Sequence, residues 1–216
     1  VTSIKIFVEG GGETNADGRG ELRVAFDVLI GAQKDAARKK QMKWNTVFCG
    51  GRSETADEFA KAVKRKDADF VALVVDAEDE VTSKEPARPT PEERVKHLEA
   101  RDGWVEQLRG GAPECVHLMT RCMEAWLLAD GEKLAEFYGK DFKKAALPKR
   151  QGLDEEPKAK LYAALEKATK DTKKGSYGKI KHASEILKRL RPGVVSTRCV
   201  SFQQLTQWLD AAIAGA

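Results

Sequence analysis

Glu9 closes the apolar run "SIKIFVEGGGE", three glycines follow it, and Glu13 comes next. Glycine lets a backbone turn sharply and lets another body approach, whereas neighbouring carboxylates repel unless a positive charge lies between them. Two more acidic stretches follow apolar runs: Asp76, Glu78 and Asp79 in "VVDAEDE", and Glu124 in "RCMEAWLLAD". In extended backbone, residues two apart point the same way, so Asp76 and Glu78 can address one centre, with Asp79 the alternative second acid. Met123, Trp126, Leu127 and Leu128 flank Glu124 and predict partial burial, and a buried carboxylate needs a partner. Gathering such groups without a cation is costly at low dielectric, and oxygen donors favour magnesium, manganese or calcium over zinc. Each stretch also has a plain reading: a glycine turn joins strand to helix, an acidic loop is solvated, and Glu124 complements a helix N-terminus.

Elements placed at the right intervals must bring these acids together. "SIKIFVE", "NTVFCGG" and "ADFVALVVD" read as strands, and "ECVHLMT" as a fourth. Between them, Leu22, Ala25, Phe26, Leu29 and Ile30 share one helical face, and "SETADEFAKAVKRK" is a helix with Thr55 and Glu58 at capping-box spacing. Strands alternating with helices favour a mainly parallel sheet covered on both faces. In such sheets the C-terminal strand ends gather ligands, and all the acidic stretches fall there. A polar loop with three prolines follows Asp76, and the segment around "DGWVEQL" carries no clear period. Beyond "RCMEAWLLAD", the stretches "PKAKLYAALEKATK", "SYGKIKHASEILKRL" and "SFQQLTQWLDAAIA" read as helices, and "GVVSTRCV" as a strand-like run. The expectation is an α/β core over residues 1–139 with a basic helical portion, 140–216, packed on it as one structural domain.

Charge is lopsided: residues 140–198 hold 17 Lys and Arg against 7 Asp and Glu, or +10, leaving −6 elsewhere. A basic surface for a polyanion is one reading of this, and solvated lysine-rich helices are the other. No apolar run approaches the ~20 residues of a membrane span, and no basic-then-apolar start is present, so a cytoplasmic protein without membrane contact is expected. The four cysteines form no C-x-x-C pair and sit mostly in apolar runs, as buried thiols do. G-x-x-x-x-G-K-[ST], an in-register G-x-G-x-x-G and G-x-S-x-G are absent. His97, His117 and His182 have no metal or triad spacing, and His117 lies in an apolar strand as a core or supporting residue.

Taken in order, "IKIFVEGGGET", "VFCGGRSETADEF", "VALVVDAED", "LMTRCMEAWLLAD" and "YGKIKHASEIL" resemble a small bacterial and archaeal family known only as a domain of unknown function, family 4276. The likeness covers nearly the whole chain, and that family is in turn similar to the Toprim group of topoisomerases, primases and overcoming-lysogeny nucleases. Toprim domains hold magnesium for phosphodiester chemistry with a Glu after the first strand and a D-x-D after a later one. The resemblance implies that Glu9 is the first of these, that Glu13 is the second acid overcoming-lysogeny nucleases often place after it, and that Asp76 and Glu78 stand for D-x-D. "MEAWLL" resembles the F-E-x-W-L-L stretch of Toprim-like proteins encoded beside ABC-type ATPases in phage-defence loci.

Together these imply a Toprim-like nuclease with one or two Mg2+ or Mn2+ ions held by Glu9, Glu13, Asp76, Glu78, Asp79 and Glu124. The ions would activate water for in-line displacement at phosphorus, ~3.5–4 Å apart if there are two. Lys179 or Lys181 would neutralise developing phosphate charge. Lys173, Lys174 and Lys181 would hold a nucleic-acid backbone without reading its sequence. An ABC- or AAA-type ATPase is the expected partner. The alternatives are a Toprim-shaped adaptor or sensor without turnover, and a calcium site that only fixes loops.

Overall fold

Ile4, Ile6 and Val8 are buried on one face of β1 (Ser3–Glu9) and Phe7 on the other, the pattern of a strand covered on both sides. This computed structural model describes residues 1–11 and 16–216, with the side chains of residues 16 and 17 excepted. β1 pairs in parallel with β2 (Lys43–Gly50) and with β3 (Phe70–Val75), and β3 pairs in parallel with β4 (Val116–Leu118), giving the order β2-β1-β3-β4. The result is an α/β fold with an all-parallel central sheet flanked by helices, consistent with a Toprim-like arrangement.

Parallel neighbours need crossovers, and helices supply them. α1 (Ala16–Leu29) and α2 (Gly31–Lys39) join β1 to β2, α3 (Arg52–Arg65) joins β2 to β3, and α4 (Pro91–Asp102) with α5 (Val105–Leu108) joins β3 to β4. Phe59 of α3, Leu98 of α4 and Trp104 cover Phe7, Leu73 and Val75 on one face of the sheet. The other face carries α1 and α2 with a run of later helices: α6 (Glu124–Ala129), α7 (Gly131–Tyr138), α8 (Lys158–Thr169), α9 (Lys179–Leu187), α10 (Pro192–Arg198) and α11 (Val200–Ala214). Trp126 is fully buried between Phe26 and Phe202, with ring centroids 6.4 and 5.1 Å away. One apolar cluster therefore runs from Ile4 to Ile213, and α9 lies against α1. No helix among the described residues is long and apolar enough to cross a membrane.

Two local expectations are corrected. "GVVSTRCV" is not a strand: residues from Pro192 to Arg198 form α10, with proline in the first turn and Val195 buried against the core. Tertiary packing overrides the β-branched preference there. Thr55 and Glu58 do not form a capping box, because α3 begins three residues earlier, at Arg52 with Gly51 before it, and Thr55 Oγ1 donates back to the Gly51 carbonyl at 2.7 Å. The capping box belongs to α4 instead, where Glu93 N–H donates to the Thr90 hydroxyl and Thr90 N–H to the Glu93 carboxylate.

His117 sits in the core on β4, 1 % exposed, with the Trp208 ring 5.3 Å away and no hydrogen-bond partner for either ring nitrogen among the described residues. Burial, with the nearby Arg94 guanidinium, pushes its imidazole well below the ordinary value of 6.5. The folded chain thus refuses a proton that the unfolded chain accepts, so stability is intact above about pH 6.5 and falls as the pH drops below it. His182, also held low by burial, Lys181 and Lys174, acts in the same window. Urea unfolding of His117→Leu between about pH 5 and 6.5 should show a shallower loss of stability than the wild type; equal slopes would remove His117 as a cause.

Candidate metal centre

Gly10 and Gly50 exchange N–H···O=C bonds of 3.1 Å at the tips of β1 and β2, and the register slips by one residue between Val8 and Glu9. At Gly11 the backbone has φ +92°, and a Cβ would stand 2.4 Å from Arg19 Cγ, so the turn after Glu9 requires glycine. Asp76 follows the last residue of β3 and is 2 % exposed. Its main-chain N–H donates to Glu9 Oε2 at 3.0 Å, and its own Oδ1 accepts from Met123 N–H at 2.9 Å. The loop beyond is laced to the β4–α6 turn by Ala77 N–H to Thr120 O (2.7 Å) and Glu78 N–H to Arg121 O (3.0 Å). Glu78 adopts φ +63°, a conformation that costs a non-glycine residue energy and that its surroundings must enforce.

One oxygen from each of Glu9, Asp76 and Glu78 lies within 4.8 Å of the others. Glu124, at the start of α6, is fully buried beside them. Its Oε1 accepts from the Tyr177 hydroxyl at 3.0 Å, and its Oε2 has no partner among the described residues. Lys179, the first residue of α9, links the two groups: its Nζ is 4.0 Å from Asp76 Oδ2 and 4.0 Å from Glu124 Oε1.

Not every expected residue is brought there. Glu13 lies outside the described residues. Asp79 faces away, its side chain 73 % exposed and paired with Arg101 Nε at 2.9 Å, so Glu78 is the second acid of the loop. Lys181 stands on another side of α9 from Lys179 and donates to the Lys174 carbonyl at 3.4 Å, away from the acids. Lys173 and Lys174 are exposed in the turn between α8 and α9, where Lys174 Nζ lies 4.7 Å from the centroid of the Phe137 ring.

Counter-charges hold the cluster together. Arg52, at the start of α3, donates to Glu9 Oε2 at 3.1 Å and to the Asp76 carbonyl, and is fixed by two bonds to the Asp102 carboxylate at 2.9 and 2.7 Å. Lys158, the first residue of α8, donates to Glu78 Oε2 at 2.5 Å. Burial pushes the Asp76 carboxyl well above the usual carboxylate range; Lys179 draws it back, while Glu9 and Glu124 add to the rise. For the Lys179 ammonium, burial acts downward, but Glu124, Asp76 and Glu9 outweigh it and hold it above its ordinary value. Among the described residues, Arg52, Lys158 and Lys179 thus face the carboxylates of Glu9, Asp76, Glu78 and Glu124, with Arg52 shared with Asp102. The converging all-oxygen donor set, with a buried oxygen of Glu124 left unpartnered, fits a hard divalent cation.

Sequence reasoning did not find Arg52, Lys158, Tyr177 or the Met123 amide. Arg52 had a signal, since "CGGRSE" places a cation after glycines at the end of the strand beside β1. Tyr177 stands two residues before Lys179. Lys158, 80 residues from Glu78, had none.

Residues 8–210 match a family described as a domain of unknown function (DUF4276), and the chain belongs to it. Searches of curated proteins and of solved structures give no match.

Lys158 donates to Glu78 and would compete with a metal ion for it, so Lys158→Ala should tighten Mg2+ binding several-fold, read by calorimetric titration; an unchanged affinity would mean that Glu78 is not a ligand. Glu124→Gln separates a ligand from a helix-start charge worth only about 0.3–1 kcal/mol. As a ligand, its loss should weaken Mg2+ binding while leaving the metal-free protein at least as stable in urea, because a buried charge with an unpartnered oxygen is removed. Normal affinity with a less stable metal-free protein would make Glu124 structural.

Proposed function

We propose that this chain is a Toprim-like, Mg2+- or Mn2+-dependent phosphodiester hydrolase acting on nucleic acid, with the ion or ions held by Glu9, Asp76, Glu78 and Glu124. The observation that carries the reading is the convergence of Glu9, Asp76 and Glu78 within 4.8 Å at the strand ends, beside the unpartnered oxygen of Glu124. When bound, such an ion polarises a phosphoryl oxygen and acidifies a water.

The chain's own residues supply positioning and charge. Arg52, clamped by Asp102, fixes Glu9, and Met123 N–H fixes Asp76, so both carboxylates keep their direction. Lys179 is 40 % exposed while touching the acids, which lets its ammonium meet a phosphate oxygen from the solvent side. In this reading the basic surface within 140–198, including Lys173, Lys174 and Lys181, tracks the polymer backbone. The partner, following the family likeness, is an ABC- or AAA-type ATPase that gates cleavage in phage defence.

A second reading has its own support. Arg52, Lys158 and Lys179 already neutralise the acids, as they would in a Toprim-shaped adaptor that binds an ATPase or nucleic acid without turnover.

Metal titration with labelled DNA and RNA separates the two. Mg2+ or Mn2+ should raise the melting temperature and support cleavage, and Glu9→Gln with Asp76→Asn should abolish both. A metal-dependent shift without cleavage favours the adaptor, and an unchanged shift in the double variant places the metal elsewhere. Nucleic-acid binding should weaken steeply with salt, and charge reversal at Lys173, Lys174 and Lys181 should flatten that dependence; salt-insensitive binding would contradict the polyanion surface.

A further inference from the structure

On the far side of the Glu78 loop lies a cavity of about 350 Å3. Ala77 and Asp79 line it together with Leu118 at the end of β4, and so does Pro157, the residue before Lys158. Val81, Pro86, Ala87, Pro89 and Leu118 line it with apolar surface. The proline loop that covers it is tied to α11 by Arg88 to Gln203 Oε1 at 2.6 Å and by Gln204 Nε2 to the Pro89 carbonyl at 3.0 Å.

Arg121 lines this cavity with its side chain only 14 % exposed. Among the described residues its guanidinium donates no hydrogen bond; the carboxylate of Glu80, largely exposed, lies 3.7 Å away. A guanidinium carries five N–H donors in a planar fork suited to phosphate or carboxylate, and here the fork opens on the cavity. The other charges are committed: Asp154 accepts from Val200 and Ser201 N–H at 2.6 and 3.0 Å, and Arg150 pairs with Glu155. The volume falls in the range of small-ligand sites, and the apolar wall offers a flat body somewhere to lie, with Gln204 at its edge.

We propose that the cavity is a nucleotide subsite, in which Arg121 takes the phosphate and the Val81, Pro86, Pro89 and Leu118 wall takes the base. Glu78 faces the acid cluster while its neighbours Ala77 and Asp79 face the cavity, and Lys158 and Pro157 divide in the same way. A strand crossing the acids therefore places an adjoining nucleotide at Arg121. That placement rests on the hydrolase reading; binding of a mononucleotide does not.

The test is binding of AMP and CMP to the full chain, by melting shift and calorimetry, with adenosine and inorganic phosphate as controls. Either mononucleotide should bind more tightly than both controls. Arg121→Gln and, independently, the cavity-filling Ala87→Trp should each weaken it at least tenfold while leaving the Mg2+ response intact. The Glu9→Gln, Asp76→Asn double variant should bind the mononucleotide normally, so loss of the metal reading would leave this result standing. Phosphate binding as well as the nucleotides, adenosine binding as well as AMP, no binding of either mononucleotide, or undiminished binding by a folded Arg121→Gln or Ala87→Trp protein would each overturn the subsite.

Discussion

Carboxylates gathered at one edge of a sheet repel one another, and everything around Glu9, Asp76, Glu78 and Glu124 answers that repulsion. Unit charges about 4 Å apart interact by roughly 4 kcal/mol even at an effective dielectric of 20, so an unbalanced group of four acids would oppose folding. Arg52, Lys158 and Lys179 supply the balance, each from the first residue of a different helix. Because α3 covers one face of the sheet and α8 and α9 belong to the helices on the other, the charges draw both layers to the same edge. The later helices are therefore part of the acid centre as much as of the apolar core.

Hydrogen bonds then convert attraction into direction. Glu9 reaches from β1 to the Asp76 amide just past β3, Asp76 reaches to the Met123 amide before α6, and the Glu78 amide is held by the Arg121 carbonyl. The first two links each use one backbone group and the third uses two, and all join segments far apart in the chain. The left-handed turn at Glu78 is sustained by this lacing, which keeps a strained backbone where a helix or strand would not place a carboxylate. The same lacing separates the acid cluster on one side from the Arg121 cavity on the other.

Much of this was legible in residue patterns. Alternation in "IKIFV", the continuous apolar run "FVALVV" and the helical face of Leu22, Ala25, Phe26, Leu29 and Ile30 marked strands and a helix that the structure contains. The acids at strand ends stood out for the same reason, and the apolar neighbours of Glu124 pointed to partial burial, which the structure makes complete. What stayed hidden depended on pairing across distance. "TADE" and "TPEE" both fit a capping box, yet only Thr90 precedes a proline in the first helical turn and caps a helix. Val194 and Val195 suggest a strand, but contacts with α6 and α11 make that segment helical. Local pattern also gives no reason for Lys158 to find Glu78.

The Lys158–Glu78 pair also bears on the order in which the chain is made. Glu9, Arg52, Asp76 and Glu78 have all left the ribosome before either lysine, for Lys158 follows Glu78 by 80 residues and Lys179 comes later still. At about 5–20 residues per second, Glu78 waits roughly 4–16 s for Lys158 alone. During that interval the strands can pair, yet the edge that carries the carboxylates lacks two of its three cations. The nascent sheet is thus complete in its backbone before it is neutral at its tip, and closure of the acid centre becomes a late event of synthesis, set by the emergence of α8 and α9.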